Sequence, residues 1–143
     1  MLFAAEEHGR FGSQAFVADV IEGQAVPLEA VLVLDMIGSP AAPDGTARTD
    51  RVRAYSAPPD DSPSRQLAYA VAAIAGQHVP GITVTVQDTL DRNGRWGDHQ
   101  SFSDAGYAAV RLIEPFDDPA RMHNANDLPE HLDPAYLLSL IHI

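Results

Sequence analysis

Three acidic positions and one histidine hold the side chains best suited to chemistry. Glu6-Glu7 follows a short apolar run, Asp35 closes a second, and His123 stands in a loop after the last. Adjacent glutamates at a strand end point in different directions, so one can bind a metal while the other stays free as a base. A carboxylate that faces a metal's water without binding the metal is what metal-assisted hydrolysis requires. Asp35 is sharper, because an ionised carboxylate within an apolar run is costly unless a cation or strong donors satisfy it. Each position also has a plainer reading. Asp35 fits a strand-end cap on a neighbouring helix, and Glu6-Glu7 fits a solvated helix start.

The elements expected to position these residues alternate in type. Residues 1–5 (MLFAA) read as the end of a buried strand. Residues 12–21 carry Phe16, Val17, Val20 and Ile21 at helical spacing, with Gly23 as a stop. The continuous apolar run at 30–36 (AVLVLDM) predicts a strand covered on both faces. Residues 38–63 are rich in Pro, Ser, Asp and Ala without periodicity, which predicts a long surface loop. Ser62 or Ser64 would then cap a helix to about His78, with Leu67, Ala70, Val71 and Ile74 inward. Residues 82–86 alternate as a strand, 91–98 read as a loop with an Asn93-Gly94 turn, and 100–105 suit a short helix. A buried strand over 107–113 and a helix opened by Asp133-Pro134 complete the chain. Strands alternating with helices predict a mostly parallel α/β sheet, whose chemistry falls at the carboxyl ends of the strands.

Composition narrows the functional classes. The 143 residues suffice for one domain and are too few for two. Nine Lys+Arg against twenty Asp+Glu give a net charge of -11, which repels nucleic acid and anionic membrane surfaces. No stretch approaches the roughly 18–20 apolar residues of a membrane helix. Cysteine is absent, so thiolate sites and disulfides are excluded, and any metal must use His and carboxylates.

With these residues in view, the chain resembles the co-catalytic dizinc aminopeptidases. The resemblance is carried by Ala4-Ala5-Glu6-Glu7 through Gly12-Ser13-Gln14, and by Leu34-Asp35-Met36-Ile37-Gly38. Two further blocks follow in order: Gly97-Asp98-His99-Gln100-Ser101-Phe102 with Ala105-Gly106-Tyr107 and Val110, and His123-Asn124-Ala125-Asn126-Asp127. It implies a three-layer α/β/α fold with a mostly parallel central sheet, present here as an incomplete domain. It further implies a peptide substrate and two zinc ions in the complete enzyme. Glu6 would be the general base, Glu7 and His123 ligands of one zinc, and Asp35 a ligand of the other. Asp98 and Asp127 would be carboxylates that fix the loops around those ligands, with helix capping as their competing reading. Phe102 and Tyr107 are expected to fill the core.

Departures from the family pattern shape further expectations. The family's His-x-Asp histidine and its bridging aspartate have no counterpart here. The expectation is therefore that residues 1–137 form the C-terminal part of a catalytic domain, inactive in isolation, with 138–143 a non-native tail. His8 is expected in a loop, His78 at a helix end and His131 in solvent. Asn124 stands where the family usually has a small hydroxyl. Glutaminyl cyclisation and a non-catalytic interaction domain on the same fold are the alternative functions, and Glu6 favours the peptidase. No secretory leader pattern is visible, whereas the resemblance makes a secreted or periplasmic parent plausible.

Overall fold

The computed structural model describes residues 1–89 and 97–141. Four strands form one sheet in the order β1-β4-β2-β3, with β1 at Val31–Leu34, β2 at Arg51–Ser56, β3 at Thr83–Val86 and β4 at Ala109–Ile113. The pairs β1–β4 and β2–β3 are parallel, and β2 meets β4 antiparallel, so the sheet is mixed with a parallel majority. Helices flank both faces. On one side α2 (Pro63–His78) and α4 (Pro134–Leu140) cover Val52, Ala54, Val84, Val110 and Leu112. On the other, α1 (Phe11–Phe16) and α3 (His99–Asp104) enclose Val17, Phe102 and Ala109.

Local chemistry explains most of the elements. Ser62 accepts the Arg65 N–H at 3.1 Å and Pro63 opens α2, so the helix starts where a cap and a fixed φ coincide. Asp133 caps α4 in the same way, accepting the N–H groups of Ala135 and Tyr136 at 3.0 Å each. The periodic segment that begins at α1 continues as a π-helical stretch, Val17–Glu22, and ends at Gly23. Its wider turn keeps Ser13, Val17 and Ile21 buried on one side. Phe3, Phe16 and Phe102 then meet as three tilted rings with centroids 5.4–6.4 Å apart.

The structure corrects four expectations. Residues 1–5 form no strand: Met1 and Leu2 are exposed, and Phe3 drops onto α1 and α3 instead. The strand at 30–36 is shorter and covered on one face only: Val31 packs against the Phe102 cluster, while Leu32 and Leu34 on the other face are about half exposed. The expected loop at 38–63 contains β2, in the interior of the sheet. Its alternation, Arg51 and Arg53 outward against fully buried Val52 and Ala54, is a period-2 signal that the surrounding Pro and Asp obscure. The inner face of α2 is rotated as well: Ala68, Val71 and Ala75 are buried while Ala70 and Ile74 are exposed. Small residues there let the helix lie close on the sheet. The expected Asn93-Gly94 turn lies outside the described residues.

Candidate metal and catalytic site

The carboxyl ends of the parallel pair β1 and β4 open side by side. Backbone bonds carry the register past the strands, with Asp35 N–H donating to Leu112 O at 3.1 Å and Glu114 N–H to Met36 O at 2.8 Å. A cavity of about 790 Å³ lies at this edge, lined among others by Glu6, Glu7, Asp35, Arg111, Glu114 and His123. That volume is in the range of small-ligand pockets. Asp127 and His131 also line it, so His131, expected in solvent, faces the site.

Four non-glycine residues at the site adopt left-handed backbone: Ala5 (φ 57°) before Glu6, Arg10 (φ 63°) at the end of the same turn, Met36 (φ 53°) after Asp35, and His123 itself (φ 57°). Each such residue is strained by about 1–3 kcal/mol and persists only where its surroundings over-determine it. Around His123 the restraint is Asn124. Its side chain donates to Ala120 O at 3.2 Å and Met122 O at 2.9 Å and accepts the Asn126 N–H at 2.8 Å. The departure from a small hydroxyl at this position thus stiffens the loop. Around Glu6 the chain turns tightly, the Glu6 carbonyl accepting the N–H groups of Gly9 and Arg10 at 3.0 and 2.8 Å. Gly12 N–H closes the turn on Ala4 O at 3.0 Å.

The structure brings Glu7 and His123 together, with Nδ1 3.4 Å from Oε2. A charge-assisted hydrogen bond would be nearer 2.8 Å. Two donors on one tetrahedral zinc, each about 2.1 Å from it, stand roughly 3.4 Å apart. The pair therefore fits the edge of a zinc coordination tetrahedron and fits a direct hydrogen bond poorly. Asp35 sits differently, its Oδ2 3.1 Å from Nη2 of the buried Arg111. Among the described residues no three His or carboxylate side chains converge as a metal-binding group. The donors present suit one cation, and the Asp35 carboxylate is already matched by a guanidinium.

Glu6 stands between these two pairs. Burial raises its carboxyl above the ordinary value, and the charges of Asp35, Glu7 and Asp98 raise it further, with Arg111 opposing. Asp98 makes no side-chain cap bond to α3, which removes the capping reading for that residue and leaves its charge acting on Glu6. The Asp127 carboxylate belongs to the cavity wall, beside the His123 loop. Phe102 is buried in the core as expected, with Tyr107 packed against it.

Arg111 and Glu114 line the cavity and were not singled out from the sequence. Arg111 interrupts the apolar run of β4, the same signal that singled out Asp35. Glu114, one residue past β4, accepts the Ser39 N–H at 2.7 Å, and burial pushes its carboxyl up to about 7. It thereby clamps the loop that follows Asp35.

Comparison with known proteins identifies the family and the fold. Residues 1–142 match the model of peptidase family M28. A probable zinc metalloprotease of Pyrenophora tritici-repentis is 32% identical over 139 residues, covering 85% of this chain and 32% of that protein. One of Pyricularia oryzae is 35% identical over 148 residues, covering 87% of the chain and 29% of its own length. Among solved structures, an aminopeptidase of Legionella pneumophila superposes with a TM-score of 0.73 at 23% identity, over 96% of this chain and 35% of that one. An aminopeptidase of an Aneurinibacillus species gives 0.69 at 24% identity, over 98% and 29%. The fold is that of the α/β aminopeptidases. The chain belongs to peptidase family M28, and spans about a third of the length of the curated relatives it matches.

Proposed function

We propose that this chain carries the catalytic end of a zinc-dependent aminopeptidase, which releases amino acids from the N-termini of peptides. The observation that supports it most is the Glu7–His123 pair at zinc-edge spacing, with Glu6 directly beside it in the cavity. The relatives' names agree in naming zinc and proteolysis.

Glu7 Oε2 and His123 Nδ1 would hold the metal. A bound zinc supplies Lewis acidity, which polarises the scissile carbonyl and makes a water easier to deprotonate at neutral pH. Glu6 does the proton work. Its carboxylate accepts the proton of the attacking water as the C–O bond forms, then delivers it to the amine nitrogen as the C–N bond breaks. Its raised pKa suits both halves, since a stronger base takes the proton more readily and the acid form persists long enough to give it up. Acidic residues outnumber arginines along the cavity, with Asp118 and Asp127 among them, an environment that attracts a peptide's free N-terminal ammonium.

The experiment is an assay of aminoacyl anilide hydrolysis and zinc content on a polypeptide of the relatives' length that carries these residues. Glu6→Ala is expected to abolish turnover while zinc stays bound, whereas His123→Ala loses zinc itself. Equal metal loss in both variants would contradict the division of roles, and silence with zinc bound in the unmodified protein would exclude the peptidase. The resemblance also implies a second zinc beside Asp35, where Arg111 competes for the same carboxylate.

A further inference from the structure

Asp35 and Arg111 are placed against each other by the sheet. In the parallel β1–β4 register Val33 lies level with Arg111, so residue 35 is two positions further along the same face. The guanidinium Nη2 stands 3.1 Å from Asp35 Oδ2, and the Arg111 side chain is 5% exposed. Gly97 closes a third side: a Cβ there would come within 3.0 Å of Asp35 Oδ2 and 3.2 Å of Arg111 Nε and Cδ. Three segments thus converge to hold one carboxylate against one buried cation.

A dication on the same carboxylate would lie within about 5 Å of that guanidinium, and would be repelled by it twice as strongly as a monovalent ion. Arginine cannot relieve this by losing its proton. Burial makes leaving the pocket costly as well, since any new position must satisfy the guanidinium again.

We propose that the Arg111 guanidinium takes the place of a second metal ion beside Asp35, so that this chain holds a single dication, between Glu7 and His123. This rests on the reading of Glu7 and His123 as a zinc site. It departs from the two-ion pattern that the resemblance implies. On this view Asp35 is a positioning residue: it fixes Arg111 at the cavity wall, and the charge of that wall stays constant whatever the metal supply.

The test is zinc binding by the 143-residue chain, stripped of metal and titrated with zinc, with bound metal counted by elemental analysis and affinity read by calorimetry. One zinc per chain is expected, with Asp35→Asn still binding one and His123→Ala weakened by about 100-fold. Two zinc ions per chain, or a loss in Asp35→Asn well beyond the roughly 10–100-fold that an outer partner of a metal ligand costs, would overturn the proposal alone. No zinc on the unmodified chain overturns both it and the reading on which it rests. A second measurement uses no zinc. Arg111→Met leaves Asp35 without its cation, so millimolar magnesium should raise the melting temperature of this variant by several degrees more than that of the unmodified chain. Arg111→Lys, which restores a charge, and the Arg111→Met/Asp35→Asn double variant should show no such gain. A magnesium effect equal in all of them counts against the substitution of one cation for another. If Arg111→Met does not fold, the zinc stoichiometry and the Asp35→Asn affinity still decide.

Discussion

Glu7 and Asp35 are both carboxylates at the lip of one cavity, yet they answer to opposite partners. Glu7 and His123 are open to solvent, with side chains 65% and 49% exposed, and meet at a distance that leaves room for an ion between them. Asp35 is half as exposed as Glu7 and lies against a guanidinium sealed inside the sheet. The first pair is loose and has nothing but strained loops behind it; the second is built from strand register and close packing. Exposed pairs contribute little to stability, whereas a buried charge robbed of its partner is costly. The Glu7 side should therefore matter for binding and the Asp35 side for the fold.

The largest expected effect breaks the open pair. Glu7→Gln or His123→Ala should each weaken zinc binding by about 100-fold, since few protein donors share the ion. Melting temperature in chelator should move little, because both side chains are exposed. A drop of several degrees without metal would show that the pair is structural, and the contrast with Asp35 would dissolve.

Next comes the closed pair. Arg111→Met should cost about 2–3 kcal/mol in metal-free unfolding, below the full penalty for a buried pair because Asp35 is partly solvated. Chemical denaturation at pH 7 measures it. An effect under about 0.5 kcal/mol, the level of an ordinary surface substitution, would place Arg111 in the same class as the open pair.

How far this contrast could be read from sequence depends on which signal each residue gives. Asp35 was visible because a charge in an apolar run demands an explanation, and Arg111 in β4 obeys the same rule from the partner strand. Their pairing was not legible, since it requires knowing that β1 and β4 are neighbours. The strand on the other side of β4, β2, was hidden too, its alternation masked by a Pro- and Asp-rich setting. Glu6, Glu7 and His123 were legible only together, as motifs in order, because each alone looks like a solvated side chain. The caps are local: Asp133-Pro134 was readable directly, and the start of α2 to within Ser62 or Ser64, of which Ser62 makes the cap bond. The rotation of α2 was not, being set by the sheet beneath it.

Glu114 sharpens the comparison through pH. It belongs to the Asp35 side, since its backbone and carboxylate hold the Met36–Ser39 loop. Burial raises its carboxyl from 4.5 to about 7, so the folded chain holds this proton more tightly than the unfolded one. Its contribution to stability is therefore fully present below pH 4.5 and is lost as pH rises through 7. Glu114→Gln keeps one oxygen for the Ser39 N–H and removes the titration. The variant should lose that decline, and be more stable than the unmodified chain at pH 8 by about 1–2 kcal/mol. Melting curves between pH 4.5 and 8 decide it. An unchanged slope in Glu114→Gln would assign the pH dependence to other groups, Glu6 first among them.

The smallest expected effect separates the two sides most cleanly. Gly97 has an ordinary backbone conformation, so an added methyl strains nothing by itself and gains slightly from a stiffer unfolded chain. The methyl does meet Asp35 Oδ2 at 3.0 Å and Arg111 at 3.2 Å, closer than side chains normally pack. Neither neighbour is a free flexible end: Arg111 is buried, and Asp35 is tied to it. Gly97→Ala should thus cost about 1 kcal/mol by pushing the ion pair apart, while zinc affinity at Glu7 and His123 stays within about twofold. If zinc affinity falls with stability, the pairs are coupled through Glu6, which feels both Glu7 and Asp35. The closed pair would then be an adjustable part of the metal site.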